Sequence, residues 1–474
     1  MYSIHYFNEI IAGKIEENIK NFIEERKDLT DLIYSLQENL FELGRHILVE
    51  VLEDMDEVLR ESKERKGMWE IVRKDATSLL TSFGTINYSR TYFKPKKGGK
   101  RRHLVDELVG VSPHDKMSSD VIINIIEEAV ESSYRKAGEE ASYVEEISKQ
   151  AVMNKIHEIE VIQPEIEVEE KKEARILYIE ADEDHVSLQQ NLSKRKDRRY
   201  NTFMPKLAYI HEGIDGDKST PKRTALKDVY YFGGDIKSED LWLEVADYID
   251  KRYEYDAIET IYISGDGAPW IRQGTQWINK SKFVLDNYHL NKYIRTATAH
   301  LDDADLVQEL RDAIDWPDKG AVKRVFKKII AQTVSETKKE AVKVARKYIL
   351  NNWDGIAIKA EKGYEIIGCS AEGHVSHVFS QRLSSRPKGW SKLGATKMSE
   401  LIIYTKNGGK IYDLVMAQKK KVAEEKRIEE QEVLIKELRN RAQQKYSSTW
   451  NSNISAITMG RKTGLYNALR SFVG

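Results

Sequence analysis

Apolar residues recur at three- and four-residue spacing through the first 66 positions. They run Ile10, Ile11, Ile15, Ile19 and Phe22, then Leu32, Leu36, Leu40, Leu43, Ile47 and Val51, with charged residues between. That period predicts helices over residues 4–66, pairing either within the chain or between copies. Between Thr77 and Tyr92 the period drops to two, as in TSFGTINYSRTYF, which predicts a β-hairpin turning at Gly84. Residues 117–160 return to a helical pattern. SSDVIINIIEEAVESSYRKAGE reads as one long helix ended by Gly138, followed by a shorter helix and then KQAVMNKIHEI capped by Ser148. A short helix, a tight turn and a second helix describe a helix-turn-helix presenting Lys149, Gln150, Met153 and Asn154, and a plain helical bundle fits the pattern as well.

Past an acidic linker around Gln163 and Pro164 the pattern becomes that of strands. ARILYIEADEDHVSLQ, MPKLAYIHEGI and LKDVYYFGGDI predict three consecutive strands, the first two antiparallel. SEDLWLEVADYIDKRY is an amphipathic helix, ETIYISGDGAPW contains a short apolar strand, and KFVLD is another strand before a helix near Asn287. Three strands, a helix, a strand, a helix and a strand is the order of an RNase H-like sheet, so the expected class is mixed α/β. The expected organisation is a helical region at 1–75, a hairpin and helix-turn-helix-like DNA-binding region at 76–165, and a catalytic core split between 172–292 and 354–415. A helical insertion at 293–353 and a charged helical arm at 416–474, suited to a structural or oligomeric role, complete it.

Composition changes this picture little. The chain has 474 residues, of which 40% are hydrophobic, and no apolar run long enough to span a bilayer. One cysteine, Cys369, excludes an intrachain disulfide, and the N-terminus lacks a secretory pattern, so a cytoplasmic protein is expected. Lys and Arg number 76 against 77 Asp and Glu, so any DNA-binding surface must come from segregated charge. The segment 94–102 supplies such a patch in Lys94, Lys96, Lys97, Lys100, Arg101 and Arg102, with Gly98 and Gly99 between. It can lie along phosphates or be a solvated loop.

Three carboxylates stand out by position. Asp182 lies on the apolar strand RILYIEAD, where a bare charge needs a partner such as a metal ion. Asp266 ends TIYISGD before Gly267, and Glu372 begins a turn-to-helix segment, GCSAEGHVSHVFSQR. Two Asp at strand ends and a Glu on a facing helix suit a two-ion phosphodiester site, in which one ion activates the attacking oxygen and the other stabilises the leaving oxygen. Hard Mg²⁺ or Mn²⁺ takes such oxygen ligands. Asp184 competes with Asp182, and Asp266 alone reads equally as a helix cap. Cys369, His374 and His377 offer a zinc set with no fourth ligand at standard spacing. GxSxG, Walker and Rossmann patterns are absent.

TSFGTINYSRTYF, YIEADEDHVSLQ, YISGDGAPWIRQG, FVLDNYHLNKYI and CSAEGHVSHVFSQRLSSRPKGWS together resemble the transposases of ISLre-type bacterial insertion sequences, relatives of the Mutator-like transposases. The resemblance implies a DDE transposase with Asp182, Asp266 and Glu372 as its acids and two Mg²⁺ (or Mn²⁺) ions, although Glu183 stands where many relatives have Gly. It implies that 293–353 is the insertion domain, and that Asp286 and His289 form an acid-x-x-His signature assisting catalysis. A His one turn from an Asp can orient a phosphate or move a proton, and a cap with a packing His is the plainer reading. Trp270 and Trp277 suit either base stacking or apolar packing, and Arg382 and Arg386 suit phosphate contacts. The expected partners are double-stranded DNA (element ends and target) and further copies of the chain, with no membrane. A DNA-binding regulator without catalysis and a nuclease that cleaves without joining remain the alternatives.

Overall fold

The computed structural model describes residues 2–164, 170–189, 202–385, 389–425 and 440. The chain divides into two compact units: residues 1–125, 135–148 and 415–474 form the first, and 126–134 with 149–414 the second.

In the first unit the helical period is realised as α1 (Tyr2–Tyr6), a π-turn at Phe7–Ile11, α2 (Ala12–Glu24), the 33-residue α3 (Leu29–Glu61) and α4 (Lys63–Met68). Asp28 starts α3 by accepting from the Thr30 amide at 2.8 Å. The hairpin is longer than its alternation predicts: β1 (Trp69–Thr81) pairs antiparallel with β2 (Gly84–Pro95). Its first half, EIVRKD, is largely exposed on both faces, so no burial imposes alternation there. The turn needs Gly84, whose φ is +105°. α3 packs on β2, where Asp56 accepts from the Thr91 amide (2.8 Å) and hydroxyl (2.6 Å). Leu59, Trp69, Phe93, Leu104 and Val105 close a small core beneath. β3 (Arg102–His103) and α5 (Leu104–Leu108) follow.

The helical block differs from expectation. α6 (Ser119–Glu131) stops before Gly138, which is buried inside a separate α7 (Tyr134–Glu140). The eight residues 141–148 separate α7 from α8 (Lys149–Glu158), and the two helices belong to different units. The tight turn of a helix-turn-helix is therefore not formed. α8 buries Val152 and Ile156 and packs against a helix of its own unit, leaving Lys149, Gln150 and Asn154 exposed and Met153 half-buried.

The second unit is built on a five-stranded sheet. Its strands are β4 (Ile176–Glu183), β7 (Lys206–His211), β10 (Tyr230–Gly234), β11 (Thr260–Gly265) and β12 (Ser281–Leu285), in spatial order β10-β7-β4-β11-β12. β7 runs antiparallel to both neighbours, whereas β4, β11 and β12 are mutually parallel. The short pair β5 (Val186–Ser187) and β6 (Thr202–Phe203) and the hairpin β8 (Ile214–Thr220) and β9 (Arg223–Leu226) interrupt the predicted run of strands.

α9 (Ser238–Arg252) and α10 (Pro269–Trp277) are the crossovers, and α11 (Asn287–Thr298) leads from β12 into α12 (Ala304–Asp315), α13 (Lys319–Gln332), α14 (Glu336–Asn351) and α15 (Trp353–Lys362). Alternate residues of β4, Leu177, Ile179 and Ala181, join one continuous core with Trp242, Tyr253, Ile263, Phe326 and Ile349, so sheet and inserted helices share one hydrophobic interior. α16 (Ala371–Val375), a π-turn at Ser376–Ser380, α17 (Gln381–Leu383), α18 (Lys392–Lys406) and α19 (Ile411–Glu425) complete the described chain. Most of the expected 416–474 arm lies outside the described residues. Among the described residues no helix is long and apolar enough to cross a membrane.

Candidate active site

The opposite face of β4 carries Tyr178, Glu180 and Asp182. Register places this face against its neighbours: Tyr178 pairs with Tyr262, and Glu180 with Ser264. Two residues further on, Asp182 and Asp266 therefore reach the same level on adjacent parallel strands. β12 adds a third carboxylate, because Gly265 pairs with Leu285 and the next residues are Asp266 and Asp286. Three aspartates thus end three neighbouring parallel strands at one register. This lies at the carboxyl edge, beside the point where β4 changes from a parallel to an antiparallel neighbour, the usual position for a ligand on such sheets.

The backbone around Asp266 is shaped for close approach. A Cβ on Gly265 would lie 2.6 Å from the Ala181 carbonyl oxygen, and Gly267 takes φ +86° against Asn352. Asp266 Oδ1 accepts from the Ala268 amide at 2.8 Å, opening α10, and Tyr348 donates its hydroxyl to the Asp266 carbonyl oxygen. Asp286 caps α11 by accepting from the Tyr288 amide (3.0 Å) and holds His289 Nδ1 at 2.9 Å.

Electrostatics mark the same group. Burial, with the Asp266 charge adding to it, pushes the Asp182 carboxyl up to about 6, against a Glu183 amide hydrogen bond and the nearby His289. His289 is raised, first by its hydrogen bond to Asp286 and further by the charges of Asp266 and Asp182. Burial opposes ionisation of Asp286 also, but its bonds to His289 and the α11 amides hold it below the usual carboxylate range. Asp184 is occupied elsewhere: it is buried and accepts from the Ser384 hydroxyl at 2.9 Å through both oxygens. Of the two candidates for first acid, only Asp182 faces Asp266.

Glu372 is exposed on α16, which lies alongside β4. The helix start is tied down by Glu180, whose Oε2 accepts from the Ser370 amide at 2.5 Å and from Tyr209 at 2.5 Å, while Oε1 contacts His211 at 3.2 Å. Among the described residues no three or more His, Cys, Asp or Glu side chains gather as a metal cage. Cys369, His374 and His377 form no such cage either. His374 stacks on Tyr209 at 4.1 Å with Nδ1 on the Tyr231 hydroxyl, and His377 is exposed.

Three residues expected at DNA make contacts within the protein. Arg382 is buried, donates to the Ala129 carbonyl oxygen at 2.8 Å and lies 4.7 Å over the Trp390 ring, so it is not available to a phosphate. Arg102 is half-buried, 3.6 Å from Glu107 and 5.7 Å over Trp69. Trp270 packs on the core and donates its indole N–H to Glu183 at 3.1 Å, whereas Trp277 is exposed. Lys94, Lys96, Lys97, Lys100 and Arg101 are exposed, and Arg386 lies outside the described residues. Asp286 directly follows a strand, as Asp266 does, and that position is the sequence signal that places it level with the other two acids.

The family model described as "Uncharacterised protein family (UPF0236)" matches residues 22–421. A UPF0236 protein of Caldanaerobacter subterraneus subsp. tengcongensis, whose name spans eleven loci, is 40% identical over 481 residues, covering 98% of each chain. A second from that organism, spanning four loci, is 41% identical with the same coverage. The "UPF0236 protein in vanSb 3'region" of Streptococcus gallolyticus is 25% identical over 410 residues, covering 83% of this chain and 86% of its own. Among solved structures, the "Drosophila P element transposase strand transfer complex" aligns with 64% of this chain and 81% of its own at 11% identity. Its TM-score of 0.21 is too low to carry an argument about fold or function. The chain belongs to the uncharacterised family UPF0236.

Proposed function

We propose that this UPF0236 chain is a DDE-type DNA transposase, hydrolysing phosphodiester bonds at the ends of a bacterial insertion sequence and joining the freed 3′ ends to target DNA. The observation that carries the reading is the meeting of Asp182 and Asp266 at one register, with Asp286 and His289 beside them. The strand order, three antiparallel strands continued by two parallel ones, is the order expected of an RNase H-like sheet, and supports the reading. The relatives' names add a second support: one protein name spread over eleven loci of a genome suits a sequence that copies itself.

The donor set fits a hard divalent cation. The Asp266 charge adds to burial in opposing ionisation of Asp182, and a cation beside the two relieves both burial and repulsion. Asp182 and Asp266 would hold Mg²⁺ or Mn²⁺, two ions in the complete site, with Glu372 on α16 as the proposed third acid. Such ions supply charge neutralisation at the attacking and leaving oxygens. His289, kept protonated longer by Asp286, is placed to hold a phosphate oxygen or to give up a proton. The partners are double-stranded DNA and, for synapsis of two ends, further copies of the chain.

The test is cleavage of a labelled duplex carrying the element's own ends, with Mg²⁺ or Mn²⁺, by wild type, Asp182→Asn and Glu372→Gln. Metal-dependent nicking at the ends by wild type, lost in both variants, supports the reading. End binding without cleavage by wild type in either metal overturns it and leaves a DNA-binding regulator. Nicking without joining leaves a nuclease.

A further inference from the structure

α11 begins immediately after Asp286, at the level of Asp182 and Asp266, and runs away from the acids for 12 residues. Its sequence, NYHLNKYIRTAT, contains no carboxylate. Leu290, Ile294 and Ala297 turn inward to the core. The outer face is lined by Asn287, Tyr288, Asn291, Lys292, Arg295 and Thr296, which border an open recess of about 500 Å³. All six are exposed. Among the described residues neither Lys292 nor Arg295 has an ion-pair partner, although ion pairs are numerous on the neighbouring helices, such as Lys328–Glu309 at 2.8 Å and Lys339–Glu336 at 2.8 Å. Charges left uncompensated beside an acidic site, on a helix stripped of acids, suit a polyanion that also reaches that site.

We infer that the exposed face of α11 is the track for one DNA strand flanking the scissile phosphate, with Lys292 and Arg295 contacting successive backbone phosphates and Asn287 and Asn291 donating hydrogen bonds between them. The assignment rests on the transposase reading above. The dimensions agree. From residue 287 to 295 the helix advances roughly 12 Å, at about 1.5 Å per residue. One strand of duplex presents a charge about every 3.4 Å of duplex axis, so a face laid parallel to that axis spans three to four phosphates. The recess is open and the charged groups on it are Lys292 and Arg295, which suit phosphate oxygens, so the contact is to backbone and is independent of sequence.

The experiment measures equilibrium binding of a mixed-sequence 30-base-pair duplex to the full chain over a range of salt, with Ca²⁺ in place of a cleavage-supporting metal. Wild type is compared with Lys292→Ala/Arg295→Ala and with Lys323→Ala/Lys327→Ala on α13. Thermal melting checks that each variant folds. Removing two phosphate contacts should weaken binding at least about tenfold at moderate salt and lower the log–log salt slope by about 1.8. The α13 variant should match wild type. Unchanged affinity and slope in the α11 variant, with wild type binding DNA, overturns the track alone. Equal weakening by the α13 variant overturns it too, since diffuse charge then accounts for binding. Failure of wild type to bind duplex at all removes the transposase reading, and the track with it.

Discussion

The Ser370 amide donates a 2.5 Å hydrogen bond to Oε2 of Glu180, joining the start of α16 to the face of β4 that carries Asp182 two residues on. Glu180 is 2% exposed and is satisfied by Tyr209 and His211 as well. A buried carboxylate is tolerated only with such partners. Burial raises its pKa, but the His211, Tyr209 and Ser370 bonds outweigh burial and hold it below the ordinary value. Its contribution to stability is therefore complete above the unfolded value of 4.5 and lost as pH falls through the lower folded value. Glu180→Gln should cost about 2–4 kcal/mol in urea unfolding at pH 7 and less near pH 3. Cleavage should fall as well, because Glu372 loses its anchor. A variant as stable as wild type at pH 7 shows that Glu180 does not hold α16.

Asp182 behaves in the opposite sense. Its folded value, about 6, lies above the ordinary 3.8, so in metal-free protein its contribution is fully present below pH 3.8 and is lost as pH rises through 6. Asp182→Asn should therefore stabilise the metal-free chain by about 1–3 kcal/mol at pH 8, with the gain vanishing near pH 4. The same variant should lose any stabilisation by added Mg²⁺ or Mn²⁺. Asp184→Ala should instead destabilise at both pH values, because it strands the Ser384 hydroxyl. Thermal melts of the two variants with and without metal separate the candidates. A metal response that survives Asp182→Asn but not Asp184→Ala reverses the assignment.

His289 should titrate above 6.5 in wild type and lower in Asp286→Asn, since the hydrogen bond to Asp286 is the first cause of its rise. Stability from the pair is fully present below 6.5 and lost as pH rises through the folded value. Imidazole NMR shifts against pH give both values. The alkaline limb of the cleavage profile should move down with the variant if His289 acts as an acid. Coincident titrations in the two proteins show that Asp286 serves only as the α11 cap.

The strands of the central sheet were legible because each buries at least one face and is short and apolar, as in LYI, LAYIH and IYISG. Asp182 and Asp266 were legible as charges ending such strands. The β8–β9 hairpin was not, because IDGDKST is mostly exposed and offers no periodicity. The turn between α7 and α8 was not legible, because the connection 141–148 is eight residues long and buries Ala141 and Ile147 without forming a helix. Arg382 misled because sequence alone does not distinguish a guanidinium aimed at solvent from one laid over Trp390.

That stacking gives Arg382 a measurable signature. Its guanidinium lies between Trp390 at 4.7 Å and Tyr134 at 5.6 Å, and burial draws its pKa down to about 10. Arg382→Ala removes the stacking and leaves the Ala129 carbonyl oxygen without its donor. Destabilisation of about 2–4 kcal/mol is expected by denaturant titration. Arg382→Lys should recover little of it, since an ammonium reproduces neither the planar stack nor the Nε geometry. DNA affinity of the folded fraction should stay within about twofold of wild type, whereas a phosphate contact would cost a unit of salt slope.

Gly265→Ala probes how tightly the two site strands must approach. The added methyl would meet the Ala181 carbonyl oxygen at 2.6 Å and Ile271 Cδ1 at 2.8 Å. The first is backbone of β4 and cannot swing away, so β4 and β11 must separate where Asp182 and Asp266 follow them. Overpacking of this kind costs about 1–3 kcal/mol, and more here because a carbonyl is involved. The expected result is a lowered melting temperature together with loss of metal-dependent stabilisation, although neither carboxylate has been touched. Gly267→Ala changes the backbone after Asp266, where φ is +86°, and should act on the same readout through strain rather than strand spacing. If Gly265→Ala melted lower but kept the full metal response, the close spacing of β4 and β11 would serve folding alone. Asp182 and Asp266 would then not have to share an ion.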